Sequence, residues 1–247
     1  MARLSNKLAT IDLYQSTTTQ PGPYMVGQLA WDVNGKAFRF VLNGATALVK
    51  GNVLQSPASL GSTYQNMVVG TAGVKGDAFI QVTNGTSTIT SQQFEGGSIS
   101  VYTAGTIAVG DEYTIIGVTG TLTTGGALKV FLDRPLRSAV TTSATVNMMP
   151  SPYAGVVATP LTTKTGIVVG VAVYEIPANA YGWIQTHGVA AVIADGSTIV
   201  LGGQIGVANT VTGSVSLATG GVGMATIGQA LATGASGAGI TAFLTID

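Results

Sequence analysis

Residues 179–197 read NAYGWIQTHGVAAVIADGS. Alternate residues of an extended strand share a face. Tyr181, Trp183, Gln185 and His187 therefore line one side, and Gly182, Ile184, Thr186 and Gly188 the other. The run continues into Asp195-Gly196, a favoured turn pair, so the whole stretch reads as a strand, a bend and a hairpin turn. It also holds the only histidine of the chain. Catalysis by histidine needs a nucleophile and an orienting acid within hydrogen-bond reach, and Asp195 lies eight residues further on. One histidine without a close acidic cluster makes a poor metal site. The expectation is a packed or partnered strand face, with no catalytic residue, no cofactor and no metal.

The same strand grammar extends outward in both directions. Short runs of Val, Ile, Thr and Tyr are cut by Gly, Asn-Gly and Asp-Gly, and no dozen-residue stretch shows helical periodicity with caps. The 247 residues suit an all-β protein with a substantial core. The expected architecture is an N-terminal extended arm and hairpin followed by one or two small antiparallel β-barrel or β-sandwich domains. Three sections are expected: 1–55, 56–150 and 151–247. The first holds a proline-broken polar segment and then AWDVNGKAFRF, a hairpin whose Asn34-Gly35 suits a type I′ turn. Pro150, Pro152 and Pro160 mark the second boundary. A short echo, TIAVGDEYTI at 106–115 and TIVLGGQIGV at 198–207, suggests that the two later sections are built alike.

Charge is scarce. Asp, Glu, Lys and Arg make up 8% of the chain and their formal net charge is +0, against about 25% charged residues in an average soluble domain. Mean hydropathy is positive. A free monomer needs surface charge to stay soluble, so the composition points to a surface largely covered by other chains. After Lys164 the only charges are Glu175, Asp195 and Asp247, and no basic patch is concentrated elsewhere, which argues against a nucleic-acid partner. No apolar run reaches the roughly 18 residues of a membrane helix. Alternation alone would allow an outer-membrane barrel, but no aromatic girdle marks one and MARLSNKLATIDLYQ has no apolar core of a secretion signal, so no membrane partner is expected. Cysteine is absent, which excludes disulfides and thiolate metal sites and fits assembly in a reducing cytoplasm.

Other candidate motifs read more simply as strands and turns. Asp111-Glu112 would point to opposite faces of a strand, whereas glycoside hydrolysis needs two carboxylates facing one bond; a solvated turn is the simpler reading. The glycine-rich stretches 70–76 and 218–239 lack a phosphate-loop pattern, because the single Gly-Lys pair, Gly35-Lys36, is followed by Ala37. GASGA around Ser236 misses the nucleophile-elbow pattern, and NGT at 84–86 reads as one more Asn-Gly turn.

GDEYTIIGVTGTLTTGGALKVFLDRPL through PSPYAGVV, then YGWIQTHGVAAVIADGSTIVLGG and the closing IGQALATGASGAGITAFLTI, resemble structural proteins of tailed-bacteriophage virions, most of all the capsid decoration, or cement, proteins. The resemblance covers about residues 90–247. It implies an all-β, non-enzymatic protein that binds the outer face of a phage head, with the major capsid protein as partner and self-association as a homotrimer. It carries over no catalytic residue. Its location would be the virion surface after assembly in the host cytoplasm. Residues 1–55 are then expected to act as a clamp, with Tyr14, Tyr24 and Trp31 as interface anchors and Trp183 as a further candidate; packing of these aromatics within their own barrel is the competing reading. Two other classes stay open: a tail, baseplate or head-fibre component, and a carbohydrate-binding β protein, against which the scattered aromatics count.

Overall fold

A computed structural model of the chain describes residues 12–22, 24–58, 63–85, 87–90, 93–102, 109–120, 125–196, 198–218, 225–235 and 237–247. Among the described residues there are strands and no helix. The chain forms two units, Met1–Ala58 together with Pro152–Asp247, and Ser59–Ser151. The first and third sections expected from the sequence are thus one unit, with the middle section inserted between them.

The inserted unit is a closed antiparallel barrel. Its strands are β4 (Met67–Thr71), β5 (Phe79–Thr83), β6 (Ser98–Tyr102), β7 (Val109–Val118), β8 (Ala127–Leu132) and β9 (Thr145–Met149). They close in the order β4-β5-β8-β7-β6-β9. Alternation decides what goes inside: Ile99 and Val101 of β6, and Leu128, Val130 and Leu132 of β8, point into one core around Phe94 and Tyr113. Burying each of these side chains contributes roughly 1.5–3 kcal/mol. The stretch 70–76 runs from the end of β4 into a turn at 75–76: Gly73 and Val140 exchange backbone hydrogen bonds, and Gly76 has φ of 102°. Asp111 and Glu112 lie inside β7, which replaces the turn reading. The Tyr113 hydroxyl donates to the Asp111 carboxylate at 3.0 Å, and Arg137 approaches the same carboxylate at 3.7 Å.

The other unit is built round β12 (Tyr181–Ile193), the long strand of the opening stretch. Its first half pairs antiparallel with β2 (Ala37–Asn43), Trp183 opposite Phe40. Strands β10 (Ala154–Ala158), β3 (Val53–Gln55) and β11 (Val168–Val171) complete a ring β2-β10-β3-β11-β12 that returns to β2. Val41, Leu54, Val156, Val169 and Ile184 fill it. The second half of β12 pairs with β16 (Gly239–Thr245), followed by β15 (Thr226–Ala230), β13 (Gln204–Val207) and β14 (Val215–Leu217). These strands bury Val192, Ile205, Ile227, Ile240 and Leu244. A β-bulge at Gln185/His187 separates the two halves. Gln185, itself buried, donates from Nε2 to the His187 and Val189 carbonyls at 2.9 and 3.0 Å, and Gly188 takes φ of 87°. A bulge raises local twist, which lets one strand serve two differently curved sheets.

Two turn readings need correction. The hairpin from β1 (Leu29–Trp31) to β2 forms, but only Gly35 has positive φ there, so the turn is not type I′. Asp32 shapes it instead, its Oδ1 accepting from the Asn34 and Lys36 N–H groups, both at 2.8 Å. Asp195 is buried, its N–H bonds the Val215 carbonyl, and its carboxylate accepts from Thr210 Oγ1 at 2.8 Å. The strand that follows, β13, does not pair with β12, so Asp195-Gly196 is not a hairpin turn. At the end of β2 the buried Asn43 amide donates to the Thr46, Ile176 and Pro177 carbonyls. In the sequence echo, 112–115 and the aligned 204–207 are both strand, whereas 109–111 is strand and the aligned 201–203 is loop. The readings at Ser236 and Thr86, and those parts of the echo and the glycine-rich stretch at 106–108 and 219–224, lie outside the described residues.

Candidate functional site

Phe38 and Phe40 of β2 and Trp183 of β12 share the face of the sheet turned away from the ring's core. Residues 12–22 and Tyr24 cover that face. Leu13 and Tyr24 pack against it, and the N–H and carbonyl of Thr17 both bond Tyr181. Trp183 is 2% exposed, its ring 5.1 Å from Phe40 and 5.6 Å from Tyr24. Tyr174 ties the cover down: its hydroxyl donates to the Gln15 carbonyl at 2.9 Å and accepts the Trp183 N–H at 2.7 Å. Burial pushes the Tyr174 hydroxyl up to about 12. Trp183 and Tyr24 therefore take the own-barrel packing reading. The aromatics scattered in sequence do gather in space, but Phe40 and Trp183 spend their ring faces on each other, Tyr24 and Tyr181. A cleft of about 360 Å³ adjoins the cluster, lined by Asp12, Gln15, Thr17, Tyr24, Phe40 and Trp183.

Tyr14 and Trp31 are different. Tyr14 is 53% exposed and meets Phe38 edge-on at 5.9 Å; Trp31 is 48% exposed and lies 5.9 Å from the His187 ring. His187 in turn meets Phe243 edge-on at 5.3 Å. Its Nδ1 is buried and makes no hydrogen bond among the described residues. Eight residues along, roughly 25 Å at the rise of a strand, Asp195 bonds Thr210. The structure does not bring histidine and acid together, and no group of three metal-ligating side chains occurs among the described residues.

His187 instead belongs to an exposed sheet face. The register sets His187 opposite Thr245, Val189 opposite Phe243 and Ala191 opposite Thr241, with Phe243 also opposite Gln229 on the far side. The inward partners Ala190, Val192, Ala242 and Leu244 are buried, so these odd-numbered residues face out. Val189 is 41% and Phe243 37% exposed, and Trp31 extends the patch past His187. None of these side chains is acidic, lysine or arginine. Charge sits at the border: Lys36 and Lys50 line a cleft of about 350 Å³ with Tyr14 and Val189, and Arg39 pairs with Asp247. An apolar centre with a charged rim is the usual anatomy of a protein interface.

Of the four aromatics expected at an interface, Tyr14 and Trp31 are on open surface, Tyr24 is half-buried against Phe40 and Trp183, and Trp183 is packed inside. Val189 and Phe243 were missed. Their signal was the period-two run GITAFLT, whose Phe243 falls on the face opposite Ile240, Ala242 and Leu244. No helix among the described residues is long and apolar enough to cross a membrane. No known family, curated protein or solved structure matches the chain.

Proposed function

We propose that this chain is a non-enzymatic virion structural protein, a homotrimer that binds the outside of a phage capsid and stabilises contacts between shell subunits. The face centred on Val189 and Phe243 carries this reading. It is an uncharged sheet surface on a chain with few charges anywhere, and such surfaces mark sites of association. The resemblance to decoration proteins supplies the partner, the major capsid protein. A subunit that bridges neighbours stabilises a shell because each contact after the first is intramolecular.

Co-sedimentation tests the reading. Purified chain is mixed with phage heads that lack it and banded on a density gradient. Saturable binding at a fixed ratio to the major shell subunit is expected. Absence of the chain from the head band would move it to a tail component or away from virions altogether.

A further inference from the structure

A cavity of about 240 Å³ lies in the unit that holds β12, lined by Gln55, Thr159, Lys164, Gly166, Ile167, Val168, Val207 and Ala225. Two of its lining groups are buried and unsatisfied. Gln55 and Thr159 are each 1% exposed, yet Gln55 Oε1 and Thr159 Oγ1 make no hydrogen bond among the described residues. The other end of the Gln55 amide donates to Thr165 Oγ1 at 2.8 Å. Exchanging the amide oxygen and nitrogen would still leave one end unpaired. Buried polar groups are nearly always bonded, so each exception needs a cause. Lys164 adds a third head. Its Nζ donates to the Pro160 and Ala208 carbonyls, and an ammonium has three donors. Removal from water lowers its pKa.

These heads sit among the apolar walls of Ile167, Val168, Val207 and Ala225. A sugar would set a ring of hydroxyls against those walls. A free anion would find one cation already shared by two carbonyls. An amino-acid residue in an extended chain matches better: one N–H for an oxygen acceptor, one carbonyl for a hydroxyl or ammonium donor, and one apolar side chain for the walls. Apolar exposure surrounds the place. Ile167 is 64% exposed, and Leu161 and Val211 lie open on the two loops that Lys164 ties together.

We propose that this cavity is a socket for one aliphatic side chain on an extended segment of a partner protein, with Gln55 and Thr159 bonding that segment's peptide groups. The socket does not rest on the capsid reading.

The probe is N-acetyl-leucine N-methylamide, which carries one leucine side chain between two peptide groups. Saturation-transfer NMR on the full chain reads its binding. The expected result is saturable binding with Kd of about 1 mM, a usual affinity for so small a ligand. Thr159→Val should weaken it at least about fivefold, and Ala225→Trp, which plugs the cavity from an exposed position, should abolish it. Both variants should keep the urea midpoint of the parent chain. A probe that does not saturate, or that binds Ala225→Trp as it binds the parent, overturns the socket and leaves the cavity to water.

Discussion

Arg39 and Asp247 form a two-pronged ion pair, Nε to Oδ2 at 2.8 Å and Nη2 to Oδ1 at 3.2 Å, across 208 residues of sequence. Both side chains are about a quarter exposed, 26% and 24%. The pair joins β2 to the end of β16, two strands that each pair with β12 but not with one another. Arg39 also donates to the Gly27 carbonyl at 2.9 Å. A double-mutant cycle of Arg39→Met and Asp247→Asn should give a coupling of about 0.5–1 kcal/mol in urea unfolding, near the top of the range for partly exposed pairs because the geometry is forked. Independent effects of the two substitutions would show that the pair holds nothing.

Tyr174 predicts an alkaline limit to stability. The hydroxyl ordinarily titrates at 10.0 and is raised to about 12 by burial. A raised folded pKa means that the folded state holds its proton longer than the unfolded chain does. The contribution is complete below pH 10 and is lost as pH climbs from 10 towards 12. Stability should fall across that window, and Tyr174→Phe should flatten the fall. Below pH 10 the same substitution should cost about 1–2 kcal/mol, because it leaves the Trp183 N–H and the Gln15 carbonyl unpartnered. Urea unfolding of both proteins at a series of pH values reads both effects.

Removing residues 1–30 cannot be a clean test of a clamp, since Leu13 and Tyr24 cover Trp183 and Phe40. The deletion should expose that cluster and raise binding of a hydrophobic dye. Substituting the exposed Tyr14 by Ala should not.

Two glycines should separate close packing from backbone strain. A Cβ on Gly228 would meet the Phe243 carbonyl oxygen, which is fixed in the β15–β16 ladder. One on Gly202 would meet nothing within 4 Å, although φ there is 75°. Gly202→Ala should cost about 1 kcal/mol. Gly228→Ala should cost clearly more, about 2–4 kcal/mol. Equal urea midpoints for the two variants would contradict the register of β15 on β16.

The all-β class, and the faces of β12 as far as Gln185, were legible because side-chain alternation is a local property; the bulge after Gln185 was not, and it sets His187 opposite Ala37, on the other face from Trp183 instead of the same one. Closure was not legible either. β2 meets β12 across about 140 residues, and period-two spacing says which side of a strand is inside without saying which strand lies beside it. That is why sections 1–55 and 151–247 read as separate. Turn chemistry failed at Asp195-Gly196 for a related reason: short polar side chains that favour turns also make good buried ties, and Thr210 is invisible from next door. The interface reading followed aromatic residue type, which picked Trp183 and passed over Val189. Exposure depends on what covers a face, and residues 12–22 with Tyr24 cover one side of β2 and leave Val189 bare.

The most direct test is a binding isotherm on heads lacking the chain, comparing the parent with Val189→Lys. Val189 is exposed, so the lysine should leave folding within about 0.5 kcal/mol of the parent. A charge buried in an association face lacks a partner and weakens binding. The account predicts saturation of heads by the parent at a fixed ratio and at least a tenfold weaker isotherm for Val189→Lys. Equal isotherms for the two proteins, or no saturation by the parent, would contradict it.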